Sequence, residues 1–454
     1  MNKFLLPTIV LVAALIVSCT KEMPALVDHN SNGKANYTVP VEQALNNLSC
    51  FMKEQGLMSD TKGSINDFVD NYFIVSSPKT KSNESPEDLI YAVNFVNDGG
   101  YALLSADSRI GEDILAFVEE GSVHENDFYL SELNLTPTDN DDLTKDTYDE
   151  MVDSGVLAMA EMNSQVNHLC LEYAQHEVDD YFTGGSGNSG GGNSGSGNTS
   201  NPITYQWQIV QQVPRMLTTA WTQEGDNQLF NKYCPEVGLF WRTKAPAGCV
   251  SIAVSQIIAY HEYPASLSCN NMSIDYSAIK NIYSYHNLHG TGTATSQEML
   301  ARFIYCVGGW CQTQYHSIFG NSWGFAWPWN ARDCLSLFGY ENVSLNWGYD
   351  ENQVIEALGN GCPVFMSAIS GIISGHAWVI DGFIKRNYVS STGVIAQNQT
   401  LVHCNWGWHG DCNGYFTSGV FKTRQAVISD GLGQSMNSNY WYAFNTITYD
   451  NPNL

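Results

Sequence analysis

Three residues in this 454-residue chain sit in runs that could aim them at one another: Cys249, His376 and Asn405. Ala245-Pro246-Ala247-Gly248-Cys249 is a small-residue approach to Val250, Ala253, Val254, Ile257 and Ile258, which recur at helical spacing. The pattern predicts a helix that begins at or beside Cys249. Unpaired N–H groups and the dipole at such an end stabilise a thiolate. Gly248, with no Cβ, is expected to let a substrate backbone come close. A thiolate needs a base, and the base needs an orienter. Gly375-His376-Ala377-Trp378-Val379-Ile380-Asp381-Gly382 reads as a strand with a histidine at its entry. Leu401-Val402-His403-Cys404-Asn405-Trp406-Gly407-Trp408 reads as a second strand, after a polar loop at about 384–399. Paired as a hairpin, the two would set the Asn405 amide beside His376 and fix its tautomer. The Cys249 N–H is one oxyanion donor, and Gln223 in Trp221-Thr222-Gln223 is the expected second. Singly, these are also a buried cysteine, a core histidine, a turn asparagine and a surface glutamine. Together, in the order Cys, His, Asn, they specify acyl transfer through a thioester.

Twelve cysteines are present, in a chain whose leader directs export. Their spacing dictates no disulfide pattern. His403, Cys404, His409 and Cys412 invite a zinc site, a Cys404–Cys412 disulfide or buried free thiols. Adjacent residues 403 and 404 face opposite ways on a strand, which weighs against zinc. No metal or other cofactor is expected.

The elements around these residues divide the chain. Lys3 followed by an apolar run to Val17 is a signal-peptide core, too short to span a bilayer. It ends Ile16-Val17-Ser18-Cys19, so residues 1–18 read as a lipoprotein signal peptide and Cys19 as the lipidated residue; an ordinary secretory cut near Ser18 is the alternative. Residues 19–37 form a tether. Residues 38–182 form an acidic domain, with strands expected over 89–119, a turn at Asn97-Asp98-Gly99-Gly100 and a helix over 151–178. Residues 183–201 are a Gly/Ser/Asn linker. It contains chance matches to a dinucleotide fingerprint and a serine-hydrolase elbow, neither flanked by a strand and a helix. Residues 202–454 carry the chemistry. The net charge is −26, with 31 acids and 9 bases before residue 201. That balance argues against nucleic acid as a partner.

The region from 202 onward resembles streptopain and related bacterial cysteine proteases of papain-like fold. The resemblance rests on Ala247-Gly248-Cys249-Val250 continuing to Gln256-Ile257-Ile258-Ala259-Tyr260-His261-Glu262-Tyr263-Pro264, on the run 375–382, and on Asn405-Trp406-Gly407-Trp408. Phe338-Gly339-Tyr340 and Gly414-Tyr415-Phe416 are lesser markers, and residues 95–117 are similar to the family's propeptide. It implies an α+β, two-subdomain protease, half helical and half antiparallel β, preceded by a separate α+β propeptide domain that inhibits it. It further implies Cys249 as nucleophile, His376 as base, Asn405 as orienter and Gln223 as oxyanion donor. Trp406 and Trp408 would wall the site and hold the histidine, Gly248 and Gly375 would border the substrate groove, and an apolar pocket would select the residue before the scissile one. His409 stands where the family has glycine, the segment after Gln223 lacks its Pro-Tyr, and the 384–399 loop is long. The expected protein is an exported, lipid-anchored zymogen of a virulence-associated family, whose partners are protein or peptide substrates, its own propeptide and, through Cys19, a membrane. A catalytically dead binding lipoprotein and a transglutaminase-like enzyme are the alternatives. The latter class prefers aspartate as third member, and Asp381 reads better as a strand-end residue.

Overall fold

The structure is a computed structural model, and it describes residues 37–58, 64–77, 87–128, 162–183, 205–238, 242–318, 321–370, 374–421 and 442–454. The signal peptide, Cys19, almost all of the tether, the linker after Thr183 and residues 151–161 of the expected helix lie outside them.

The acidic segment contains α1 (Val41–Glu54), β1 (Val69–Ser76), β2 (Asp88–Phe95), β3 (Tyr101–Ser105), β4 (Ile114–Val118) and α2 (Met162–Thr183). The strands expected over 89–119 are β2 to β4. They are buried on both faces, so alternation separates two cores rather than core from water. Tyr91, Val93 and Phe95 face Leu48, Phe51 and Met52 of α1. Ile90 and Ala92 face the cluster that includes Val166, Leu169 and Ala174 of α2. The expected turn holds, with Asn97 and Asp98 at φ of 60° and 52°.

After the linker come β5 (Tyr205–Val213), the short β6 (Glu236–Val237) and β7 (Thr243–Lys244), and α3 (Cys249–His261). Next are β8 (Ser268–Cys269), β9 (Met272–Ser273), α4 (Tyr276–Lys280) and α5 (Ala294–Trp310). The hairpin β10 (Gln314–Ile318) and β11 (Asn321–Phe325) leads into α6 (Pro328–Leu337), β12 (Ser344–Trp347) and α7 (Glu351–Gly359). The chain ends in β13 (Val364–Ser370), β14 (Ser374–Ser390), β15 (Ile395–Asn405), β16 (Gly414–Thr417) and β17 (Tyr442–Thr448). Helices thus dominate the first part of this region and antiparallel strands the last.

The α3 helix is apolar on nearly every side because it is enclosed on every side: residues 250–259 are all buried. The polar segment expected as a loop at 384–399 is mostly strand. β14 and β15 pair from Val379↔Asn405 to Val389↔Ile395, leaving only a short turn. Backbone ladders carry these polar residues, and β5 covers the outer half of β14, from Phe383↔Val213 to Ser390↔Tyr205.

The acidic segment does not stop at its own sheet. The strand order is β1-β2-β3-β4-β16-β15-β14-β13-β17-β12, with β5 on β14. The seam is the pairing of β4 with β16, Gly414↔Val118 to Phe416↔Ala116. Gly414 is required there, since a Cβ would lie 2.3 Å from the Phe117 carbonyl oxygen. Beside the seam, fully buried Arg386 bonds Asp113 Oδ1 at 2.5 Å and lies 4.3 Å from the Trp207 ring centroid. Glu54 shares this pocket. Burial raises its carboxyl to about 7; Arg386 opposes the rise and Asp113 adds to it. Its Oε2 is buried with no partner among the described residues.

Two outcomes follow from this packing. A carboxyl raised from 4.5 to about 7 favours folding fully below its unfolded value, and that contribution is lost as pH rises through about 7. Glu54→Gln is therefore expected to raise the melting temperature of the full chain by a few degrees at pH 8. It should leave it unchanged at pH 4.5, as a pH series of thermal scans would register; the difference corresponds to about 3 kcal/mol. Gly248→Ala puts a Cβ 3.0 Å from the Gly324 carbonyl oxygen at a φ of 90°. It is expected to cost about 1–3 kcal/mol, read as a lowered melting temperature at every pH.

Candidate active site

Cys249 is the first residue of α3, and no side chain caps that end. The free amides find the sulfur instead: those of Cys249 itself and Val250, joined across the helix–sheet junction by the amide of Ala377. Burial nevertheless raises the thiol above its ordinary value, and the three amides offset only part of that. The thiol is uncharged at neutral pH, so the thiolate–imidazolium pair of a working centre is not formed in this state.

His376 enters β14 one residue before Ala377. Its Nε2 lies 2.8 Å from the Trp406 carbonyl oxygen. A carbonyl only accepts, so Nε2 carries the proton and Nδ1 keeps the lone pair. Nδ1 is buried and has no partner among the described residues. Burial lowers the imidazole to about 4 despite the bond to Trp406. The result is a neutral base with a free lone pair, next in sequence to the amide that touches the Cys249 sulfur. The ring is held between tryptophans, with centroids 4.7 Å from Trp408, 6.1 Å from Trp378 and 6.4 Å from Trp406. Gly375 beside it is exposed.

Asn405 does not play the orienting part expected of it. It lies opposite Val379, three residues along β14 from His376. Its Oδ1 accepts from Gln256 Nε2 at 3.1 Å and the Gly407 amide at 3.2 Å. Its Nδ2 donates to the Thr219 carbonyl at 2.8 Å. The next peptide group reaches the imidazole instead, through the Trp406 carbonyl. Asn413 holds that peptide from its other side, accepting the Trp406 N–H at 2.8 Å. A backbone acceptor has no residue-type signature, which is why the sequence did not disclose it.

Gln223 is buried rather than at the surface. Its carbonyl accepts the Ala247 amide at 3.0 Å, which fastens it beside the approach to Cys249. Gly248 admits the chain's own Gly324 backbone, where a substrate was expected.

Asp381 is not a strand end. It lies inside β14 at a register shift, fully buried, with Oδ1 2.5 Å from His403 Nδ1 and Oδ2 accepting the Leu217 amide at 2.9 Å. It is committed to His403 and does not serve His376. Burial alone would lower the His403 imidazole, but Asp381 and Glu119 outweigh it and raise it to about 9. His403 is thus a buried cation between two carboxylates, one of them from the acidic segment. His409 Nε2 meets the Leu288 carbonyl at 2.5 Å, and Cys404 and Cys412 are buried, unlinked thiols. Among the described residues no group of three or more His, Cys, Asp or Glu side chains could hold a metal.

The peptidase C10 family profile matches residues 221–416. Streptopain of Streptococcus pyogenes serotype M28 is 27% identical over 221 residues, 42% of this chain and 50% of its own. The serotype M1 streptopain is 27% identical over 217 residues, with the same shares. The chain thus spans about half the length of these curated relatives. Among solved structures, a fragment of Prevotella intermedia prointerpain A is similar at a TM-score of 0.47 and 18% identity, over 83% of this chain and 98% of that one. The active interpain A cysteine protease gives 0.37 and 21%, over 53% and 95%. The profile match takes in Cys249, His376 and the Trp406 peptide, so the segment that holds them is similar to the peptidase C10 family and to the streptopains.

Proposed function

We propose that the chain is the latent precursor of a cysteine endopeptidase. One observation carries this: the Cys249 sulfur at the start of α3 meets the amide of Ala377, beside a histidine whose tautomer leaves Nδ1 free. The Cys249 proton passes to His376 Nδ1 and the sulfur attacks the scissile carbonyl. The Cys249 amide and the Gln223 side chain stabilise the oxyanion. The amine leaves with the imidazolium proton, water attacks the thioester with Nδ1 as base, and the thiol re-forms as the acid departs. Throughout, the Trp406 carbonyl holds the Nε2 proton.

The acidic segment is the inhibitor. It adds β4 to β16, and its Glu119 amide bonds the carbonyl of Asn413, the residue that anchors the Trp406 peptide. Removing it requires a cut in the linker. The pairing of residues 205–213 with β14 supports a cut between Thr183 and Tyr205, in and just after the linker. Export, lipidation at Cys19, release from the membrane on cleavage and preference for an apolar residue before the scissile one complete the proposal. They rest on the leader sequence and the family resemblance.

A binding protein on a dead protease scaffold would also hold an uncharged thiol and a neutral histidine. The two readings separate on purified residues 20–454. Intact mass against time is expected to show the parent losing its acidic part, while Cys249→Ala stays whole. Peptide hydrolysis by the processed parent should exceed that of the variant by about a thousandfold or more. Equal processing of both chains, with no hydrolysis by either even after an added protease cuts the linker, would establish the binding protein instead.

A further inference from the structure

Gln256 is a polar side chain in the middle of an apolar helix. It lies seven residues after Cys249, about two turns along the same face. It is 1% exposed, and a buried amide costs stability unless both of its ends are paired. Both are. Oε1 accepts the Thr219 hydroxyl at 2.8 Å and the Trp221 amide at 3.4 Å. Nε2 donates to Asn405 Oδ1 at 3.1 Å, and Asn405 Nδ2 returns to the Thr219 carbonyl at 2.8 Å. The Trp221 amide can only donate and the Thr219 carbonyl can only accept, so the ring of bonds has one possible direction.

We propose that Gln256 is a positioning residue for the Cys249–His376 pair, an inference that rests on the protease reading above. The ring joins three segments. One is α3, which carries Cys249. The second is residues 219–223, which end in Gln223. The third is residues 405–407, which carry the Trp406 carbonyl. Each segment supplies one member of the reaction, and among the described residues Gln256 bonds the other two from the nucleophile's own helix. Asn405 takes part as the far end of this ring and so acts on His376 through the peptide that follows it. Because the ring touches neither sulfur nor imidazole, its loss should alter how the groups meet rather than how substrate binds.

The test uses the full chain and two variants, Gln256→Met, which keeps the length and removes both polar ends, and Thr219→Val, which removes one hydroxyl at nearly constant shape. Nitrogen NMR of histidine side chains, with His376 assigned from His376→Gln, reads the tautomer directly. The parent is expected to show His376 as the Nε2–H form. Gln256→Met should show a mixture of both forms, with the rate constant for peptide hydrolysis down about ten- to a hundredfold and KM changed less than about threefold. Thr219→Val should move both readouts the same way by a smaller amount. It also carries the test alone if Gln256→Met does not fold. A tautomer and a rate constant unchanged in a folded variant would overturn the proposal, as would a loss seen only in KM. If the parent hydrolyses nothing, the protease reading fails, while the NMR comparison still decides whether Gln256 positions the histidine.

Discussion

The peptide group of Trp406 is the constraint on which the rest of the site depends. Its carbonyl fixes the His376 proton on Nε2, and its N–H is held by Asn413. A peptide plane fixed at both ends cannot rotate without breaking one bond, so the imidazole inherits the rigidity of the sheet. The tryptophans around the ring add packing to that restraint. A strand entry for His376 and a helix start for Cys249 then place the two groups on opposite sides of the junction between α3 and the sheet, linked by the Ala377 amide that meets the sulfur.

That same peptide lies one step from the acidic segment. Asn413 accepts the Glu119 amide with its carbonyl and the Trp406 amide with its side chain. Glu119 also pairs with Arg215 and lies 3.8 Å from His403 Nε2. Burial pushes the Glu119 carboxyl up, yet His403 and Arg215 outweigh it and bring it below its ordinary value. The seam is therefore ionic as well as a β-ladder, and it meets the catalytic region at the loop that carries Trp406 and Trp408. The raised thiol and lowered imidazole, both driven first by burial, describe a site held in its uncharged state.

Much of this was legible in residue types. The apolar spacing after Cys249 read as a helix, though not as one enclosed on every side, and His376 before Ala377-Trp378-Val379-Ile380 read as a strand entry. Strands β2 to β4 of the acidic segment were equally plain over 89–119, whereas β1 (Val69–Ser76) was not read. Three features were not. The polar run 384–399 became strand because ladder bonds and β5, rather than apolar side chains, hold it. Asp381 entered the interior because a register shift turned it toward His403, and a shift of this kind leaves no pattern in composition. Asn405 gave its expected role to the neighbouring backbone carbonyl. Gln256 did leave a signal, as a carboxamide inside an otherwise apolar helix, but its partners lie 35 to 149 residues away and only the fold identifies them.

The proposal that the acidic segment is the inhibitor is tested most directly by the pH dependence of Cys249 alkylation with iodoacetamide, before and after the linker is cut and the acidic part removed. For the intact chain the account predicts a reaction that rises only at alkaline pH, above the ordinary thiol range. For the cleaved protein it predicts reactivity extending below pH 7, the mark of a thiolate paired with His376. Identical profiles before and after cleavage would contradict it.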